Sequence, residues 1–127
     1  MHDNIVYEYA VIRVVPKVER EEFINIGLIL FSKRKRFIRF AYDLPEAKIY
    51  SFCKEFDMEQ LHQNMESFAK ICSGATDGGP IAQLEADEKF RWITAVKSSS
   101  IQSSRPHPGL SSDLNATFDR LYKELVL

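Results

Sequence analysis

Residues 9–40, YAVIRVVPKVEREEFINIGLILFSKRKRFIRF, decide the fold. They hold three strand signals, the densest apolar runs and the one concentrated basic cluster of the chain. Strand one spans about 5–15. Val6, Ala10, Ile12 and Val14 face one way, and Ile5, Tyr7, Tyr9, Val11 and Val15 the other, so both faces need cover. Pro16 lacks the donor a central ladder needs and ends the strand. The charged segment 17–22 forms the connection. Strand two spans 24–31, where Ile26, Leu28, Ile29, Leu30 and Phe31 are strand formers in a run too short for a membrane span. Gly27 inside it marks a bulge or a close backbone approach. Residues 32–36 suit a hairpin loop. In strand three, 37–42, Phe37, Arg39 and Ala41 oppose Ile38, Phe40 and Tyr42. The stretch therefore reads as an antiparallel three-strand meander.

Working outward, the C-terminal two-thirds reads as its cover. Asp43, Pro45 and Glu46 suggest a capped helix start, with a helix to about 56 carrying Ile49, Phe52, Cys53 and Phe56. Asp57 starts a second helix to about 73, with Met58, Leu61, Met65, Phe68, Ala69 and Cys72 as its stripe and Gly74 as its C-terminal cap. The glycine pair in 75–80 lacks the Lys-Ser/Thr and the preceding strand of a phosphate loop. Residues 81–84 read as a short extended piece, 85–91 as a short helix anchored by Phe90 and Trp92, and 92–96 as strand. Ile101 and Gln102 suit a short edge strand that the prolines at 106 and 108 stop. Ser112 or Asp113 caps a last helix to about 126, with Leu114, Phe118, Leu121, Tyr122 and Leu125 inward and an Arg120–Glu124 pair outward. The expected fold is α+β: one domain over 1–127, an antiparallel sheet of four to five strands, and helices mainly on one face, the second and last giving most of the cover.

The totals bound the function. At 127 residues and 45% hydrophobic content the chain can bury a real core without staples. A net charge of −1 and a pI near 6.3 argue against a dedicated nucleic-acid coat protein. Cys53 and Cys72 lack metal-ligand spacing, so neither a metal nor another cofactor is expected. With no signal-peptide pattern at its start the chain reads as cytoplasmic.

Two groups are candidates for function. Arg13, Glu22, Asn25, Gln102 and His107 could converge where strands one and two meet and hold an anionic or amide-bearing ligand. The plainer account pairs Arg13 with Glu22 across the turn, ties loop backbone with Asn25, and leaves His107 exposed. Lys33, Arg34, Lys35, Arg36 and Arg39 put five of the 17 basic residues within seven positions. They could touch phosphates or an acidic partner, or simply solvate a turn and discourage edge pairing. Acids gather at Glu19, Glu21, Glu22, Asp87 and Glu88, which suggests a charge-segregated surface suited to docking. One histidine without a positioned nucleophile is no catalytic proposal, and the serines at 98–100, 103 and 104 form no nucleophile elbow. The chain reads as a non-enzymatic interaction or accessory module. Nucleic-acid or phosphate binding through the basic hairpin is the first alternative. An undescribed enzyme using Arg13, Glu22, Asn25 and His107 is the second.

The segments YAVIRVVP (9–16), REEFINIGLILF (20–31), GPI (79–81), FRW (90–92), QS (102–103) and HPGL (107–110) resemble, in order and spacing, the bacterial domain-of-unknown-function family 3037. The resemblance covers nearly the whole chain. It implies a small stand-alone bacterial protein with no assigned activity, whose gene can lie beside that of a kinase-like partner of the toxin–antitoxin type.

Overall fold

A computed structural model describes residues 4–95 and 98–127. Three strands form the meander: β1 (Ile5–Val14), β2 (Ile24–Ser32) and β3 (Phe37–Tyr42). Two short strands follow late in the chain, β4 (Ile101–Ser103) and β5 (His107–Ser111). The order across the antiparallel sheet is β3-β2-β1-β4, and β5 lies on the same flank of β1 as β4. Between them Val11 N–H donates to the Ser104 hydroxyl at 2.9 Å, and Ser104 N–H returns a bond to the Val11 carbonyl at 2.8 Å. The pair thus acts as one edge strand broken at Arg105 and Pro106. Pro108 does not stop it, because an edge strand tolerates a missing donor.

The helices are α1 (Glu46–Phe52), α2 (Met58–Ser73), α3 (Ala86–Thr94) and α4 (Leu114–Leu125). Three of them cover one sheet face. There Ala10, Ile12, Val14, Ile29 and Phe31 pack with Ile49 of α1, Leu61, Met65 and Phe68 of α2, and Phe90 and Ile93 of α3. The other face is covered by α4 alone, whose Leu114, Phe118 and Leu121 meet Ile5, Tyr7, Val11, Leu28 and Leu30. The second and last helices are the main cover, as expected, but on opposite faces. None of the described helices is long and apolar enough to cross a membrane.

Gly27 explains why β2 does not alternate cleanly. Ile12 pairs with Gly27 and Arg13 with Asn25, so Ile26 is an extra residue on β2. This bulge puts Ile24 and Ile26 on the face that Ile29 and Phe31 also serve. A Cβ at position 27 would sit 3.2 Å from Phe40 Cε1, 3.3 Å from the Ala41 carbonyl and 3.4 Å from Ile12 Cβ.

Local capping chemistry sets both ends of α2 and the start of α4. Asp57 accepts from Gln60 N–H at 3.0 Å, Gly74 closes α2 at φ 72°, and Asp113 accepts from Ala116 N–H at 3.0 Å. Asp43 does not cap α1. Its N–H donates to the Ile26 carbonyl at 2.8 Å and prolongs the β3 pairing, so α1 begins at Glu46 without a side-chain cap and ends at Phe52, short of 56. Of residues 81–84 only Leu84 is extended, since Pro80–Gln83 form a 3-10 turn. Trp92, Ile93 and Thr94 belong to α3 rather than to a strand; Val96 lies outside the described residues. Phe90 is buried but Trp92 is partly exposed, packing edge-on against Phe68.

Candidate functional site

Strand register brings three of the five polar candidates together. Arg13 on β1 pairs with Asn25 on one side and with Gln102 on the other. The three side chains therefore form a polar row across the face that α4 covers. The Arg13 guanidinium lies over the Phe23 ring, 4.2 Å from its centre, and half of Phe23 is exposed. Asn25 Nδ2 donates to the Leu125 carbonyl at the end of α4, at 3.1 Å. Gln102 Nε2 donates to the Ser99 carbonyl at 3.1 Å. Two buried atoms of the row, Arg13 Nε and Asn25 Oδ1, have no hydrogen-bond partner. Among the described residues Arg13 makes no ion pair.

Glu22 and His107 lie elsewhere. Glu22 is exposed and bonds to Arg20, not to Arg13. That bond holds the Glu22 carboxyl below its ordinary range. His107 pairs with Tyr9 and stacks on its ring, centres 5.1 Å apart. Tyr9 is four residues along β1 from Arg13, or ~13 Å at strand spacing. Phe23 lies beyond the opposite end of the ladder, after the Val14–Ile24 pair, so the guanidinium leans away from His107. One small substrate cannot reach both groups.

The basic hairpin is only partly free. Lys33 Nζ approaches Asp87 at 3.8 Å, so the acids of α3 sit beside the basic tip instead of apart from it. Arg39 is engaged within the fold: it bonds Asp119 at 3.0 Å and Asn115 at 3.1 Å, with its guanidinium 4.3 Å from the Phe118 ring centre. Arg34, Lys35 and Arg36 are exposed and without ion pairs among the described residues. Arg36 adopts φ 50°, the left-handed position that closes this hairpin.

Beside that tip is a cleft of about 480 Å³, lined among others by Val6, Phe31, Lys33, Arg34 and Arg91. Arg91 of α3 bonds Glu8 at 3.2 Å across its border. Val6 pairs with Leu110 of β5, and these two apolar side chains are 60% and 63% exposed. Farther along the same face of β1, Ala10, Ile12 and Val14 are fully buried. The helical roof stops short of the Val6–Leu110 pair. Alternation in the sequence placed Val6 on the right face but carries no information about where the roof ends.

A family model described as a protein of unknown function, DUF3037, matches residues 9–126. No curated protein and no solved structure matches the chain.

Proposed function

The chain belongs to the DUF3037 family, which carries no assigned activity, and from that premise we propose that it is a non-enzymatic interaction module docking a protein partner. The observation that carries this reading is the uncovered Val6–Leu110 pair, whose Val6 also lines the cleft. Apolar side chains held rigidly on paired strands and left open to water gain free energy when a partner covers them. On the cleft rim Lys33 faces Asp87 and Arg91 faces Glu8, which leaves Arg34 as the rim cation open to an acidic residue of the partner. A kinase-like partner is compatible with this chemistry.

The test is affinity capture with cross-linking from the native host, comparing the unaltered chain with Val6→Asp plus Leu110→Asp. Both positions are exposed, so the double variant should stay folded, with a modest drop in melting temperature from two carboxylates facing each other across the strands. The expected result is one stoichiometric partner that the double variant loses. Recovery of no stoichiometric partner, or its undiminished retention by the folded variant, overturns the reading.

A second reading rests on Arg34, Lys35 and Arg36, whose charges are unpaired among the described residues: binding of nucleic-acid phosphates through the hairpin. Its signature is affinity that falls as salt rises and that is lost on joint Lys33→Glu and Arg34→Glu substitution.

A further inference from the structure

Peptide groups on β1 alternate between its two flanks. Those of Val11 and Val15 bond toward the β4–β5 flank, Val11 with Ser104 and Val15 with the Ser100 carbonyl. Those of Ile5, Tyr7 and Tyr9 therefore point the same way, and their register partners Ser111, Gly109 and His107 turn inward to meet them. Pro108 and Leu110 turn outward. Pro108, with no N–H to give, fits this alternation, because an inward proline would break the ladder. Of the strands only β1 pairs with β5. Among the described residues neither the N–H nor the carbonyl of Leu110 has a hydrogen-bond partner. The outer edge of β5 thus offers one donor and two acceptors to an incoming strand. Beside them, where the helical roof stops, stand the exposed side chains of Leu110 and Val6.

We propose, resting on the docking reading of Val6 and Leu110, that the partner at this edge is a second copy of the same chain, its β5 antiparallel to the first across a two-fold axis at Leu110. Leu110 can pair with itself: its N–H donates to the Leu110 carbonyl of the second copy, and its own carbonyl accepts in return. Each Pro108 carbonyl accepts from the Ser112 N–H opposite. A register centred on Pro108 would have no donor at its centre, so the proline selects the one centred on Leu110. The two sheets become one continuous sheet. Val6, Leu110 and their two symmetry mates line up as one apolar strip on the unroofed face and shield one another from water. The charges match as well. In this register His107 lies opposite Asp113 of the second copy, with Arg105 close by. All three residues are exposed, and among the described residues none of them makes an ion pair. Antiparallel pairing sets the Arg105 end of each strand against the Asp113 end of the other.

The test is sedimentation equilibrium of the full chain over a concentration series, joined to hydrogen exchange at the Leu110 amide. The expected mass rises from the 14.7 kDa of one chain toward twice that value. The Leu110 amide, unprotected in dilute solution, becomes protected as the dimer forms. Leu110→Ile keeps the donor and the bulk and should keep the dimer. Leu110→Ala should weaken it by about tenfold or more. Leu110→Pro should weaken it further still, although its ring is more apolar than alanine, because the outward donor is gone. That N–H makes no bond within the chain, so the proline variant should fold. A chain that stays monomeric at every concentration overturns the proposal. If the native host then yields a different partner that Val6→Asp plus Leu110→Asp loses, the docking reading stands without it. A dimer in which the Leu110 amide exchanges as fast as in the monomer also overturns it. So does a dimer as tight with Leu110→Pro as with Leu110→Ala, or one that survives Val6→Asp plus Leu110→Asp.

Discussion

Gly27 pairs with β1 on one side and β3 on the other, and its missing side chain lets the bulge close against Phe40, Ala41 and Ile12. Gly27→Ala forces neighbours on two strands to yield by a few tenths of an ångström, one of them a backbone carbonyl. The expected cost is about 1–2 kcal/mol, read as a lower urea midpoint with an unchanged slope. Cys72 gives a residue-scale prediction of another kind. Burial pushes its thiol from 9.0 up to about 12, and nearby Lys89 only partly opposes this. Because the folded value is raised, the neutral thiol contributes stability fully below pH 9 and progressively less as pH rises toward 12. Iodoacetamide at pH 8 should therefore alkylate the half-buried Cys53 first and reach Cys72 only when the fold opens. Simultaneous modification of both thiols in the folded chain would contradict this assignment.

At the scale of elements, α4 is seated by polar and apolar contacts that share one residue. Arg39 bonds Asp119 and Asn115 while its guanidinium lies on Phe118. Exposed ion pairs alone are worth little, but stacking and stem packing add to them. Arg39→Ala should cost about 1–2 kcal/mol and raise hydrogen exchange in α4 more than in α2. Equal exchange in the two helices would show that Arg39 does not seat α4. The elements also show what a sequence reveals. Asp57, Gly74 and Asp113 were legible because capping is local: each cap bonds backbone within three or four residues. Asp43 was not, because its N–H is claimed by Ile26, on the neighbouring strand. Residues 92–94 have strand composition, yet Phe90 and Ile93 are three apart and both buried. The Glu85–Glu88 capping box starts their helix, and that spacing was the signal to follow. The prolines at 106 and 108 read as the end of the edge strand, but pairing resumes at His107, and Gly109 is where the Tyr7 ring crosses that strand, closer than any side chain would allow. In the candidate site, Arg13 and Asn25 could be grouped from strand ends alone, and Gln102 joins them through its register with Arg13. His107 could not be excluded without the register, nor Glu22 without knowing that Arg20 had taken it.

For the whole molecule, the apolar residues on both faces of strand one asked for cover on two sides while the helices were expected mainly on one, and the structure places three helices on one face and one on the other. Truncation after Ser111 would remove all cover from Leu28 and Leu30, so the shortened chain should aggregate rather than persist as a smaller folded protein. The same arrangement makes the sheet a bulkhead between two compartments of grease, each helix layer about 10 Å from its centre plane. Damage on one side has little means of crossing. Leu61→Ala should cost roughly 2–5 kcal/mol and Phe118→Ala roughly 3–5, and their joint loss should equal the sum to within about 0.5 kcal/mol. If the unaltered fold cannot spare that total, each lesion carried into a stabilised background gives the same comparison. Coupling well above that margin would mean that the strands transmit strain from one compartment to the other.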